Sequence, residues 1–344
     1  MYHRSKTSDM LALVCAAVAV FTCLVVVWVL DRIYIDIEGK YVFITGCDSG
    51  FGNLLARNLD RRRGCHVIAA CLTEEGAARL KRVTSSRLTT LRLDVTSSES
   101  VHRARDAVQT IIPEGQELWG LVNNAGIISP LGPYHWLNRD DIVKVLQVNL
   151  VGAIEVTNTL YPLIRAARGR IVNVSSAVAL FPSSGTIYTA SKAAIEAFSD
   201  NIRCDMKQYG VSVHIIEPGA YQGTFSDTDA MKRRLNTAWE RLPQEERDSF
   251  GGEIAREAME LLIIDALRMA SPNLHEVTDA MEHALCSRFP WRRYLPGLDA
   301  KLFYKPMSLL PAFLADGVYN FLFGQALENK KKIIRKAKAM EKKD

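Results

Sequence analysis

The sequence of 344 residues predicts an α/β protein built on a doubly wound parallel sheet, with an N-terminal membrane helix and a C-terminal apolar and basic extension. Three observations carry that expectation. Between Lys40 and Glu217, short β-branched runs alternate with helix-length stretches, the pattern of repeated strand and helix units. Residues 10–30 form an uninterrupted apolar run, and a Lys-rich run closes the chain. At 48% hydrophobic residues, there is ample material for a sizeable core.

The first element is "MLALVCAAVAVFTCLVVVWVL", residues 10–30, which contains no charge, Pro or Gly. At about 1.5 Å per residue it crosses a hydrocarbon layer of about 30 Å. It outruns the apolar core of a signal peptide and ends without a small-x-small site, so an uncleaved anchor is expected. Arg4 and Lys6 before it are balanced by Arg32 and Lys40 after it, so charge leaves the side of the membrane open.

Six runs then read as buried strands: "YVFIT" (41–45), "HVIAACL" (66–72), "LTTLRLDV" (88–95), "LWGLVN" (118–123), "RIVNVSS" (170–176) and "VSVHIIE" (211–217). Helix-length segments between them include Arg139 to Arg168 and Thr186 to Tyr209. In such a sheet, ligands bind at the carboxyl ends of the strands. After Glu217 the alternation stops, and 220–270 reads as a mainly helical insertion beside those strand ends. There Phe225, Met231 and Trp239 are either pocket-lining residues or plain core. The stretch "LFYKPMSLLPAFLADGVYNFLF" (302–323) is apolar but broken by Pro306, Pro311 and Gly317. It reads either as an interface-lying segment whose basic flank meets anionic lipid, or as a segment packed on the domain with a disordered tail behind it.

The net charge of +5 is local. Lys330 to Asp344 holds eight Lys/Arg against Glu341 and Asp344, a charge of +6, which leaves −1 for the rest of the chain. No basic face for nucleic acid is expected. Seven scattered cysteines without C-x-x-C, and seven dispersed histidines, give no disulfide framework and no metal site. The one glycosylation pattern, Asn173-Val174-Ser175, falls in a predicted buried strand and says nothing about topology.

After the first strand comes "TGCDSGFG": Thr45, Gly46, Cys47, Asp48, Ser49, Gly50, Phe51 and Gly52. Glycines there let the backbone turn and approach a pyrophosphate at the positive end of the next helix. The end of the second strand holds Cys71 and Leu72 rather than an acid or an arginine. Asp48 would repel a 2′-phosphate, so NAD is expected, with NADP the alternative. Further along, "IYTASKAA" sets Tyr188 and Lys192 four positions apart on a predicted helix. They share a face, so the ammonium is expected to lower the phenol's pKa from its usual value of about 10 and make it a general acid or base.

These motifs, with "NNAG" (Asn123 to Gly126), "VNLVG" containing Asn149, "NVSS" ending at Ser176 and "EPG" (217–219), occur in the order and spacing of the short-chain dehydrogenase/reductase family, which the sequence resembles over about residues 38–310. "YVFITGCDSGFG", "AACLTEEG", "EAFSDNIRCDM" and "YLPGLDAKL" are similar to its membrane-bound retinol dehydrogenases and 17β/3α-hydroxysteroid dehydrogenases. The resemblance implies a Rossmann-type domain over 38–295, an anchor at 10–30 after a tail at 1–9, and a membrane-associated segment at 296–344. It implies that Tyr188 is the acid/base, Ser176 holds the substrate oxygen, Lys192 binds the nicotinamide ribose and Asn149 organises a relay water. Ser175 competes for the serine role; Ser176, twelve residues before Tyr188, matches better. Asp94 is implied near the adenine, Asn123 and Gly126 along the cofactor, and Pro218-Gly219 beside the nicotinamide.

Two departures stand out. The stretch "AVALFPSSGTI" replaces a usually Gly-rich substrate wall, and Gly223 fills the slot of a threonine that here follows as Thr224. The implied function is hydride transfer between a nicotinamide cofactor and a lipophilic alcohol, retinol first and a hydroxysteroid second. A low-activity cofactor-binding scaffold is the reading from another class. A single-pass protein of the endoplasmic reticulum membrane is expected, with a homodimer as a candidate assembly.

Overall fold

The computed structural model describes residues 2–128, 132–181, 186–223 and 227–341. Seven parallel strands form one sheet: β1 (Tyr41–Thr45), β2 (His66–Cys71), β3 (Leu88–Arg92), β4 (Leu118–Asn123), β5 (Arg170–Val174), β6 (Ser212–Ile216) and β7 (Arg293–Tyr294). Their order is β3-β2-β1-β4-β5-β6-β7. The chain reverses its winding between β1 and β4, which opens a crevice at their carboxyl ends. β1 and β5 are buried along their whole length, as expected of strands covered on both faces.

The six predicted strands are all present, and four are shorter than their apolar runs suggest. Leu72, Leu93 to Val95, Ser175-Ser176, and Val211 with Glu217 lie just outside the ladders. β7 has only two residues and carries no sequence signal, yet Ile216 pairs with Tyr294 and extends the sheet.

The helices are α1 (Tyr2–Leu30), α2 (Gly50–Arg62), α3 (Glu74–Lys81), α4 (Ser98–Ile111), α5 (Arg139–Leu146), α6 (Ala153–Ala166), α7 (Thr186–Met206), α8 (Thr228–Glu240), α9 (Gln244–Phe250), α10 (Gly252–Arg268), α11 (His275–Cys286), α12 (Lys305–Met307), α13 (Ala312–Tyr319) and α14 (Gln325–Glu341), of which α2, α4, α6, α7 and α11 pack on the sheet. Polar caps set several starts. Thr73 accepts from Gly76 N–H, Ser97 from Ser100 N–H, and Asn138 with Asp141 closes a reciprocal capping box. The predicted helix from Arg139 to Arg168 contains a π turn, Gln147–Gly152, between α5 and α6.

In the insertion, Met231 and Trp239 are 2% exposed; Trp239 packs with Trp136 and Leu235 in a satellite core, so both are core rather than pocket residues. Phe225 and Thr224 lie outside the described residues. Asn173 is fully buried and donates to Ser199 Oγ at 2.7 Å, which agrees with its sequon being structural.

The basic tail is a helix rather than a disordered end. α14 packs on α10, where Lys338 meets Glu257 at 2.8 Å, Lys330 pairs with Asp265, and Ile334 is buried. The preceding segment is two-faced. Met307 and Ala315 bury against Phe181, while Leu302, Leu309 and Phe313 remain more than 70% exposed.

Residues 9–30 of α1 form the one helix, among the described residues, long and apolar enough to cross a membrane. They have a mean hydropathy of 2.9 and no burial against the rest of the protein. Its exit is fastened to the sheet domain. Asp31 accepts from Trp291 Nε1 at 2.6 Å, its carbonyl meets His283 Nε2 at 2.9 Å, Arg288 N–H donates to Ile33 and Ile35 N–H to Cys286.

His214 on β6 is 3% exposed, with Nδ1 against the Trp291 carbonyl at 2.6 Å and Nε2 against Ser212 Oγ at 2.8 Å. A carbonyl can only accept, so Nδ1 carries a proton. Burial pushes its pKa from 6.5 down to about 4. The unfolded chain therefore binds the extra proton first as pH falls, and stability is lost between pH 6.5 and 4. The expected loss is roughly 3 kcal/mol. Thermal unfolding across that range reads it directly, and His214→Gln should flatten the slope.

Candidate active site

The loop between β1 and α2 sits at the mouth of the crevice. Gly46 has φ +71°, and a Cβ there would lie 2.8 Å from Ala125 Cα; a Cβ on Gly52 would lie 2.6 Å from Gly46 O. Only glycine allows this tight a fold. At Gly50 (φ +62°) nothing lies within 4 Å of a would-be Cβ, so the loop is open where the α2 N-terminus begins. Ser49 precedes that helix without a side-chain capping bond to it. An open, glycine-lined helix start of this kind fits a pyrophosphate.

The side chains around the loop divide into holders and exposed groups. Thr45 is 1% exposed, and its Oγ1 accepts from Asn124 and Ala125 N–H, both at 3.0 Å. Asn124, which the sequence reading passed over, donates to Thr45 O at 2.9 Å and Gly46 O at 3.1 Å, fixing the loop from β4. Asn123 turns inward to Thr157 Oγ1 and Asn173 Oδ1, each at 2.8 Å, so its amide braces β4, β5 and α6 and does not face the crevice. Strand alternation explains the swap: of two adjacent asparagines, one must face the core. Phe51 packs edge-on to Tyr221 at 5.8 Å.

Asp48 reaches the end of β2. It accepts from Leu72 N–H at 2.7 Å, Thr73 N–H at 2.9 Å and Thr73 Oγ1 at 2.6 Å. An acid thus stands where Cys71 and Leu72 offer none, delivered from the glycine loop. Asp94 accepts from Thr96 N–H at 2.9 Å and Oγ1 at 2.7 Å at the end of β3.

The second half of the site lies at the ends of β4, β5 and β6. Asn149 sits in the π turn, an insertion that re-aims side chains in helices. Its amide accepts from Ile127 N–H at 2.8 Å and donates to Ile127 O at 2.9 Å and Ser191 Oγ at 3.0 Å. The side chain therefore pins the segment after β4 to α7. Gly126 lies just before it, where a Cβ would stand 3.4 Å from Asn149 Oδ1 and 3.5 Å from Lys192 Nζ.

Ser175 and Ser176 point opposite ways. Ser175 Oγ donates within hydrogen-bond distance of Lys192 O (3.0 Å) and Glu196 Oε1 (2.8 Å), behind α7. Ser176 Oγ instead lies 3.4 Å from Pro218 O, near enough to the Tyr188 phenol to favour its ionised form. Pro218 O accepts from Ala177 N–H at 2.8 Å, and Gly219 N–H donates to Pro296 O at 3.0 Å, which places the loop after β6 beside the same serine.

Lys192 is 4% exposed, with Nζ 2.8 Å from Val174 O and 5.7 Å from the Tyr188 ring centre. The two side chains do share one helix face. Their electrostatics differ from the sequence expectation, however. Burial pushes the Tyr188 phenol up to about 12, opposed by the nearby Ser176 hydroxyl, and pushes Lys192 down to about 8. Desolvation is the largest cause at both groups, at the buried Lys192 and at Tyr188, which keeps part of its surface in water.

The model of the short chain dehydrogenase family matches residues 40–234. The chain is 50% identical to "Short-chain dehydrogenase/reductase family 9C member 7" of Homo sapiens, covering 82% of this chain and 89% of that protein. It is 47% identical to "Retinol dehydrogenase 7" of Rattus norvegicus (86% and 94% covered). It is 45% identical to "17-beta-hydroxysteroid dehydrogenase type 6" of Mus musculus (84% and 90%). A short-chain dehydrogenase/reductase from Burkholderia phymatum, solved in complex with NAD, shares the fold at a TM-score of 0.61 and 23% identity, over 75% of this chain and 90% of that one. The glycine loop, the Ser176 and Tyr188 pair and the Lys192 one helical turn beyond thus stand within a matched family frame, and the chain belongs to the short chain dehydrogenase family.

Proposed function

We propose that this protein is a membrane-anchored oxidoreductase that moves hydride between a nicotinamide cofactor, NAD by preference, and the carbinol of a lipophilic alcohol. Retinol is the first choice and a 17β- or 3α-hydroxysteroid the second, in keeping with the relatives named for those substrates. The nearness of Ser176 to Tyr188 at the carboxyl end of β5 carries the reading, since it puts a proton acceptor and an oxygen-holding hydroxyl on one substrate atom.

Bound nicotinamide supplies the hydride acceptor. The chain's own residues do the rest. The cradle of Gly46, Ser49, Gly50 and Gly52 holds the pyrophosphate; Asp48 and Asp94 stand toward the adenosine end, with Gly126, Pro218 and Gly219 toward the nicotinamide. Thr45, Asn123 and Phe51 support that cradle from behind. Ser176 holds the carbinol oxygen, whose proton passes to Tyr188 in oxidation. The phenol must be ionised to accept it, and burial alone raises its pKa to about 12, so a positive charge beside it favours the step. Lys192 is an ammonium below about pH 8 and is one such charge. Asn149 keeps Ile127 and α7 in register.

The helix at Asp9–Leu30 supports anchoring, and the endoplasmic reticulum membrane, crossed once, is the proposed location. A homodimer is the proposed assembly. The deciding experiment incubates the full chain in microsomes with NAD and all-trans-retinol or androstanediol and follows the carbonyl product. Absence of product across a lipid-alcohol panel overturns the reading.

Cofactor choice is a separate prediction. NAD should give at least a tenfold higher kcat/KM than NADP, about 1.4 kcal/mol. Asp48→Ala, which removes the carboxylate at the end of β2, should narrow that ratio mainly by improving NADP. An NADP preference in the unaltered protein would show that Asp48 does not face the ribose.

A further inference from the structure

Of the wall that departs from the family pattern, Pro182 to Gly185 lie outside the described residues, and the part from Ala177 to Phe181 meets the C-terminal segment. A π turn, Ala300–Tyr304, packs against the turn Ala177–Ala179, which directly follows Ser176. Phe181, 7% exposed at the end of that wall, meets the Phe303 ring edge-on at 6.1 Å and Tyr319 at 6.3 Å. Phe303 in turn stands edge-on to Tyr304 at 5.3 Å. Tyr304 is half-buried and close enough to Tyr188 to oppose ionisation of its phenol. Four rings from three separated stretches of sequence thus gather beside the turn that follows Ser176. The opposite face of the same segment is bare, with Leu302 and Leu309 exposed.

We propose that Tyr304 is a specificity-determining residue that touches substrate, its ring joining those of Phe181, Phe303 and Tyr319 in an aromatic wall that takes a rigid, apolar body, a conjugated polyene or fused rings, attached to the reacting carbinol. The proposal rests on the alcohol dehydrogenase reading above and names the shape that the site selects. Rings packed edge-to-face present both π faces and hydrogen edges, so a conjugated or fused-ring substrate gains contacts that a flexible alkyl chain gains less completely. A π turn supports the assignment, because its extra residue rotates the following side chains toward one target.

The test compares kcat and KM of the full chain for a ring-bearing alcohol, retinol or androstanediol, and for 1-decanol. Tyr304→Leu keeps bulk and removes the ring. It should lower kcat/KM for the ring-bearing alcohol about tenfold, through KM, and leave 1-decanol within about threefold. Tyr304→Phe should restore the ring preference. Equal losses for both substrates, or no change for either, overturn the proposal.

A turnover-free arm separates this from the chemistry. In the Tyr188→Phe background, retinol binding followed by its fluorescence should weaken about tenfold on adding Tyr304→Leu. An unchanged Kd overturns the wall even if the enzyme is active. Failure of the unaltered protein to oxidise any lipid alcohol overturns the enzyme reading, while this binding arm still decides the wall. Should Tyr304→Leu fail to fold, Phe181→Leu is read in the same two ways.

Discussion

Tyr188→Phe is expected to cut kcat for alcohol oxidation by about 10²- to 10⁴-fold, the range a positioned acid/base contributes, while leaving cofactor binding near its original strength. The phenol oxygen is the one atom removed. The nearby Ser176 still accepts from Val178 N–H at 3.4 Å and stays near Pro218 O, so the loop after β6 keeps its place. Ring packing is preserved as well. The measurement is paired: turnover of retinol or androstanediol with NAD, and NAD affinity by protein fluorescence or calorimetry. A drop in both by the same factor would mean that the substitution disturbed the fold around α7, and equal turnover would remove Tyr188 from the chemistry.

Arg293→Leu should produce the largest loss of stability. Arg293 on β7 binds Glu196 Oε2 at 2.6 Å and Asp200 Oδ2 at 2.7 Å on α7, and Glu217 at the end of β6. Glu196 and Glu217 keep only 11% and 4% of their side chains in water. Removing the cation strands both carboxylates, which costs about 3–5 kcal/mol for a buried group left unpaired. The sign of the pH dependence follows from Glu217. Burial, then the Glu196 charge, raises it to about 7 even with Arg293 present. Without the arginine it should take a proton more readily, so acidification below neutrality relieves the defect and rising pH deepens it. Thermal unfolding of the full chain between pH 6 and 8 reads both. Because Glu217 directly precedes Pro218 and Gly219, KM for NAD should rise alongside. A variant equally stable at all pH values would show that these carboxylates are wetter than their burial implies.

Much of this architecture is legible in the sequence because its strands are buried on both faces, and β-branched runs such as "YVFIT" have no amphipathic ambiguity. Strand ends are less legible. Apolar character continues through Leu93 and Val95 after pairing has stopped, since those side chains still pack beneath the sheet. β7 is too short to announce itself, and it exists because Ile215 N–H finds Arg292 O and Glu217 N–H finds Tyr294 O. The π turn at Asn149 has no local signature, as it depends on how α5 and α6 meet α7.

Within the site, motif spacing placed Ser176, Tyr188 and Lys192 together. It could not tell which of Asn123 and Asn124 faces inward, nor that Asp48 would reach β2 from the glycine loop. Nor could spacing weigh desolvation against charge for the Tyr188–Lys192 pair, because burial is a property of the surrounding chain. The tail shows the same limit. Its lysines read either as a flank meeting anionic lipid or as a disordered tail, until Glu257 and Asp265, some 65 to 81 residues away in sequence, supply partners for two of them.

The joint between α1 and the sheet domain has a mechanical corollary. Ten residues separate Leu30 from Tyr41 and include bonds from Asp31, Ile33 and Ile35 to the stretch around Cys286 to Trp291. A leash of that length would normally let a domain swivel; stitched down, it behaves as a bracket. The posture of the catalytic crevice relative to its anchor is thus inherited from the fold itself, and a rotation imposed on α1 is transmitted to the β7 edge rather than absorbed in slack.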